Sequence, residues 1–209
     1  MILDWTELTI NEFQEALSSK NPTPGGGTAS AIALGHSASL VGMVANLTIG
    51  NEKWLEGWEI SNEALNLANK VKKESARLAK EDSDSFDNVM AAFKLSKNTE
   101  DEKNLRREKI RNCTLIAAKI PYETAVLGLE LLKIMVPLSL LGNGNAISDV
   151  GVAALLASAG CKGALFNVEI NLNSLPEDYG TEMRKGMGTI SDQCRTTSKE
   201  IMQNIKERL

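Results

Sequence analysis

One carboxylate stands where an apolar residue is expected. Val71, Ser75, Leu78, Asp82, Phe86, Val89 and Phe93 follow one another at steps of four, three, four, four, three and four residues, the period of a single buried helix face. Asp82 sits in the middle of that stripe. Asp84 and Asp87 point about 160° and about 140° away from it at 100° per residue and read as a solvated face. An ionised carboxylate taken out of water without partners is costly. Asp82 therefore needs either a partner on a neighbouring helix or a task. Desolvation moves a carboxyl pKa up, toward the range useful for taking and giving a proton. The chain has a single histidine, His36, so a Ser-His-Asp triad would have to use it as base. Acid–base chemistry otherwise rests on carboxylates, with lysine, serine or asparagine assisting.

Three further polar sets interrupt apolar or helical stretches. Residues 21–30 read NPTPGGGTAS, placing Pro24, Gly25, Gly26 and Gly27 at the entrance of a helix of small residues. A helix start carries bare N–H groups and partial positive charge, and glycine lets a ligand or another backbone approach closely. The loop either cradles an anion or polar ring, or is a tight turn for packing. It is neither a Walker A loop nor GxGxxG. Asn167 and Asn171, four apart, share a helix face. GNGNAISD (142–149) brings Asn143, Asn145, Ser148 and Asp149 to a turn and helix start. Amides carry donor and acceptor together and suit heterocycle edges. The same residues also suit helix capping and core hydrogen bonding.

Helices must position all of these. Thr9 with Glu12 forms a capping box for a helix to about Ser18. A second helix is expected over about 28–48, ending near Gly50, and a long third over about 54–93. Thr99 with Glu102 makes another capping box, for a helix to about Ile120, where Pro121 kinks the chain or opens a new helix running to about Leu141. Gly and Asn of GNGN stop it. Ser148 reads as the next N-cap with Asp149 in the first turn, and that helix runs to about Leu172. Pro176 opens a polar C-terminal helix. No convincing strand is found; FNVEINL (166–172) is the only β-like stretch. Ala31, Gly35, Ser39, Gly42 and Asn46 form a stripe of small residues that admits another helix closely, from this chain or a second copy. His36 beside it reads as a surface or interface residue. The expectation is a single all-α domain over 1–209, a helical bundle with long helices.

Composition narrows the function. The 209 residues suffice for one core, and with 4% aromatic residues that core must be aliphatic. The net charge is −4 and no Lys/Arg run stands clear of acids, which argues against nucleic-acid binding. The opening MILDWTELT lacks a basic and an apolar region and does not read as a secretion signal. The apolar stretch 125–141 contains Glu130 and Lys133, so no membrane span is expected. Cys113, Cys161 and Cys194 lack CxxC spacing and read as reduced, buried thiols of a cytoplasmic protein. Cys/His ligand spacing is absent, and no metal is expected.

PTPGGGTAS, KEDSDSF, KLSKNTEDEK, GNGNAISD and GALFNVEINL occur in this order. Together they resemble the cyclodeaminase domain of formiminotransferase-cyclodeaminase and its stand-alone relative, methenyltetrahydrofolate cyclohydrolase, over about residues 5–205. The resemblance implies an all-helical homodimer with folate sites near the subunit interface and the glycine triplet in the site. It places the family's essential aspartate on Asp82, and matches Lys97, Asn143, Ser148, Asp149, Asn167 and Asn171 to polar positions. Asp82 would transfer the proton, Asp149 and the asparagines would orient the pterin or polarise the carbon, and Lys53 or Lys97 would pair with glutamate carboxylates. The reaction would be cyclodeamination of 5-formiminotetrahydrofolate, hydrolysis of 5,10-methenyltetrahydrofolate, or both, with no cofactor beyond the folate substrate. No formiminotransferase domain is expected within this length, which leaves room for a separate partner of that activity. Ser96 and Gly144 replace prolines common in the family, and GNEKW keeps only Lys53 of a basic cluster. The alternative is a helical dimer that binds folate without catalysis, or a structural one.

Overall fold

Two capping boxes set the first and fourth helices. Thr9 accepts from the Glu12 N–H while Glu12 accepts from the Thr9 N–H at 2.8 Å, and Thr99 and Glu102 repeat the arrangement. In the computed structural model, residues 4–209 are described. Met1–Leu3, the first residues of the segment read as lacking a secretion signal, lie outside the described residues. The helices are α1 (Ile10–Leu17), α2 (Gly26–Thr48), α3 (Trp58–Phe93), α4 (Glu100–Leu141), α5 (Ile147–Asn173) and α6 (Thr181–Arg208), with short 3-10 turns at Glu52–Gly57 and Gly144–Ala146. No strand occurs among the described residues, and FNVEINL lies inside α5.

Helices α2, α3, α4 and α5 form a four-helix ring in which α2 packs on α3 and α5, and α4 on α3 and α5; α6 lies along α4 and α5. The core is aliphatic. Leu34, Val41, Val44, Leu78, Leu131, Leu132, Met135 and Leu138 are fully buried, and no aromatic ring is among the buried hydrophobic side chains. The small-residue stripe of α2 receives α3 of the same chain. A Cβ on Gly35 would lie 2.6 Å from Ser75 Oγ, and one on Gly42 would touch Leu65 and Ala68. His36 is exposed, as read.

Pro121 does not open a new helix: Pro121 and Pro137 both lie within the 42-residue α4. Proline removes the bond to the carbonyl four residues back, here that of Ala117. The Asn171 side chain donates to that oxygen at 3.0 Å, so the freed acceptor is satisfied and the helix continues. Ser148 is not an N-cap. Asn143 caps the turn before α5 by accepting from the Asn145 N–H, and Ser148 lies exposed in the first turn of α5. Pro176 does not open α6, which starts at Thr181 behind Gly180 in the left-handed region (φ 66°). Arg184 holds that corner by donating to the carbonyls of Tyr179, Leu172 and Leu175.

By length and hydropathy alone, α2, α4 and residues 144–173 reach the range of membrane-crossing helices, so composition does not exclude a span in α4. About half of each apolar window (50%, 50% and 56%) is buried inside the bundle, where it serves helix packing.

Candidate functional site

The stripe on α3 leaves the core at Asp82. Val71, Ser75 and Leu78 are buried, but Phe86 and Phe93 are 38% and 49% exposed. The expectation that Phe86, Val89 and Phe93 continue a buried face therefore fails beyond the carboxylate, where a groove opens between α3 and α4. Asp82 stands at that edge, half-buried, against the N-terminal turn of α2. Gly27 makes this approach possible: a Cβ there would fall 2.2 Å from Asp82 Oδ1. Thr28 donates its hydroxyl to Asp82 Oδ2 at 2.9 Å. Its oxygen also lies 3.0 Å from Ser83 Oγ, which accepts from the Trp5 indole N–H at 2.9 Å. Burial pushes the Asp82 carboxyl above the ordinary carboxylate value, and the Thr28 hydroxyl and N–H pull it back only in part.

Asp82 faces a cavity of about 220 Å³. Its walls are Pro22, Thr23 and Gly25–Gly27 from the loop and α2, Ser85, Phe86 and Val89 from α3, Ala117 from α4, and Asn167 and Asn171 from α5. Gly25 is the extended N-cap of α2 and supplies no side-chain cap; the Thr28 N–H bonds Asp82, and the N–H groups of Gly26 and Gly27 have no partner within the helix. Asn167 donates to Gly163 O at 3.0 Å, and Asn171 to the carbonyls of Ala117 and Asn167 at 3.0 and 2.9 Å. Among the described residues, neither asparagine Oδ1 accepts a protein hydrogen bond. The cavity thus offers one carboxyl with a raised pKa, two amide acceptors, helix N–H donors and one aromatic ring. Such a set suits a flat heterocycle carrying N–H groups, with proton transfer at one edge.

Sequence-derived candidates divide between two ends of the bundle. Gly25, Gly26, Gly27, Asp82, Asn167 and Asn171 converge on the cavity. Pro24 is buried behind the loop and does not line it. Lys53, Asn143, Ser148 and Asp149 lie at the opposite end of α2, about 32 Å away at 1.5 Å per residue. There Asn143 receives the Thr48 hydroxyl oxygen against its N–H at 2.9 Å and donates its amide to Leu47 O at 2.8 Å; it caps α2. Lys53 lies over the Trp54 ring, 4.9 Å from the centroid. Lys97 is exposed in the loop after α3. Thr28, Ser85 and Phe86 belong to the site but were not read as such. Thr28 follows the glycine triplet directly, and Ser85 and Phe86 lie within a turn of Asp82. Among the described residues, no group of three His, Cys, Asp or Glu side chains is placed to hold a metal.

Residues 9–189 match the family model described as Formiminotransferase-cyclodeaminase. The chain belongs to the formiminotransferase-cyclodeaminase family. It is 33% identical to a methenyltetrahydrofolate cyclohydrolase of Methylorubrum extorquens over 96% of this chain and 97% of that one. It is 24% identical to the formimidoyltransferase-cyclodeaminase of Rattus norvegicus, where 97% of this chain spans 38% of the relative. In three dimensions it resembles the crystal structure of a formiminotetrahydrofolate cyclodeaminase from Thermotoga maritima, with TM-score 0.80 and 25% identity over 98% of this chain and 96% of that one. Family membership agrees with the all-helical expectation.

Proposed function

We propose that the chain is a folate one-carbon enzyme acting on the carbon held between N5 and N10 of tetrahydrofolate, with Asp82 as the proton carrier. The observation that carries this reading is Asp82 itself: a carboxyl with a raised pKa, facing a cavity of heterocycle-binding groups in a chain of this family. In the deaminase direction, N10 attacks the carbon of the formimino group, whose nitrogen enters protonated as an amidinium (–CH=NH2+). Asp82, as carboxylate, takes the N10 proton while the C–N10 bond forms, and passes it to the departing amino nitrogen. Ammonia leaves, 5,10-methenyltetrahydrofolate remains, and Asp82 is a carboxylate again. In the hydrolase direction, Asp82 takes a proton from the water that attacks the methenyl carbon and gives it to N5 as the C–N5 bond breaks. The hydroxyl proton goes to solvent and 10-formyltetrahydrofolate is released. Substrate geometry already holds N5 and N10 near the reacting carbon, so the chain gains from proximity. Asn167 and Asn171 accept from pterin N–H groups. This chemistry calls on no metal or redox cofactor.

The same reading includes a homodimer. Met43 and Leu47 on α2 and Val152, Leu155, Phe166 and Ile170 on α5 are large exposed apolar side chains, more than one helix pair normally leaves in water. An antiparallel two-fold pairing of this face would set one copy's Asn143, Ser148, Asp149 and Lys53 near the other's glycine loop. In the deaminase direction, a separate formiminotransferase would supply the substrate in the same cytosolic compartment.

The test is an absorbance assay of the methenyl chromophore, run from 5-formiminotetrahydrofolate and separately from 5,10-methenyltetrahydrofolate. Chromophore growth in the first identifies a deaminase, and accelerated decay in the second a hydrolase. Near-full-length similarity to the Methylorubrum protein favours hydrolysis as the first assay. Folate binding without turnover in either would replace the enzyme with a folate-binding dimer.

A further inference from the structure

A second cavity, of about 300 Å³, continues the groove between α3 and α4 and shares Ser85 with the first. It runs away from Asp82 along both helices. On α4 the wall passes from Ala117 in the first cavity to Lys109 in the second, eight residues or about 12 Å. Its sides are mostly apolar, formed by Ala92, Leu95, Cys113 and Ile116. Its polar groups beyond Ser85 are the Asn88 amide and the Lys109 ammonium. Among the described residues Lys109 makes no ion pair. Of the other cations nearby, Arg106 donates twice to Phe93 O, Lys103 pairs with Glu100 and Lys80 with Asp84, while Lys94 and Arg107 are not among the cavity's walls. The groove therefore has a proton-transfer site at one end, apolar walls along its length, and a free cation at the other.

We propose that this second cavity is the subsite for the p-aminobenzoylglutamate portion of the substrate, with Lys109 pairing with a glutamate carboxylate and Asn88 bonding the benzoyl-glutamyl amide. The assignment rests on the folate reading above. A flat, apolar benzoyl ring fits between Ile116 and Ala92, and the half-exposed Phe86 ring marks the neck where pterin and benzoyl portions meet. Lys53 is at the wrong end of this chain, and Lys97 lies two residues beyond Leu95, outside the walls. Lys109 is the one cation among the residues that line the two cavities.

The test compares two substrates in wild type, Lys109→Met and Lys109→Arg: 5,10-methenyltetrahydrofolate carrying one glutamate, and the corresponding tetrahydropteroate derivative without it. Lys109 is exposed, so the fold should persist, and melting temperature checks this. With the glutamylated substrate, Lys109→Met should raise KM about tenfold, as for loss of one charge-assisted contact, with kcat little changed; Lys109→Arg should restore most of it. With the glutamate-free substrate, all three proteins should behave alike. Equal losses on both substrates, or no loss on either, overturn the subsite alone. A wild type that neither converts nor binds either folate, by calorimetric titration, overturns the folate reading and the subsite with it.

Discussion

Replacing Asp82 with asparagine should separate activity from stability in opposite directions. Asparagine keeps the size of the side chain and an oxygen able to accept from the Thr28 hydroxyl, now at 2.9 Å from Asp82 Oδ2. It removes the group that carries the proton. Turnover should fall by about 10²–10⁴-fold, the usual contribution of a positioned acid–base group, with KM changed far less. Stability should move the other way. The folded-state pKa of Asp82 is raised above its ordinary 3.8, chiefly by burial. A raised carboxyl pKa contributes stability that is fully present below 3.8 and is lost as pH rises through the folded value. As pH rises past 3.8 the wild type loses this stability, whereas the variant, which has no carboxyl there, does not. Asp82→Asn should melt at the same temperature or higher at pH 7, and this advantage should vanish on acidification to below 3.8. Thermal unfolding across that range, beside the chromophore assay, reads both effects. A turnover loss under tenfold would refute the catalytic role. A variant that melts several degrees lower at pH 7 would refute the claim that Asp82 is held there against its solvation.

Three neighbouring substitutions test the supports of that carboxyl. Thr28→Val removes the hydroxyl that partly offsets the effect of burial, so the acidic limb of the kcat/KM profile should move to higher pH. Gly27→Ala places a methyl 2.2 Å from Asp82 Oδ1; the carboxyl or the α2 turn must shift, costing about 1–3 kcal/mol in stability and lowering kcat. Asn171→Leu leaves the Ala117 carbonyl without its donor beside Pro121, which should cost about 1–3 kcal/mol in denaturant unfolding and weaken folate binding as well.

Helix periodicity and capping made most of the bundle legible: Thr9, Thr99 and the Val71, Ser75 and Leu78 half of the stripe on α3 each lead to an observed feature. Pro121 misled because its local rule is overridden at a distance. A donor fifty-four residues later, Asn171, takes the carbonyl that proline frees, and no local pattern announces such a partner. Ser148 misled for a related reason, since Asn143 satisfies the turn first and the chain enters α5 through a 3-10 turn. At the candidate site, the unusual placement of Asp82 was readable from the apolar stripe it interrupts. Its surroundings were not, because Ala117, Asn167 and the glycine loop come from three other segments. The split of polar candidates between two ends of α2 was also hidden, because sequence order says nothing of which helix ends lie side by side.

In the proposed role, the position of Asp82 at the end of the buried stripe reconciles two opposed requirements. A carboxyl gains a raised pKa only by losing water, yet it can transfer a proton only to something that reaches it. One turn deeper, at Leu78, it would be sealed in the core with 0% exposure. One turn further out, near Phe86, solvent would return it toward ordinary acidity. Gly27 settles the balance at Asp82. Lacking a side chain, it lets the backbone of α2 cover one side of the carboxyl while the cavity stays open on the other. In the proposed mechanism the glycine triplet and the misplaced acid, fifty-five residues apart in sequence, act together. On this argument Gly27→Ala should not merely loosen the fold. It should shift the pH dependence of turnover as it displaces the carboxyl, whereas a purely structural glycine would lower the melting temperature and leave the pH profile of the surviving enzyme unchanged.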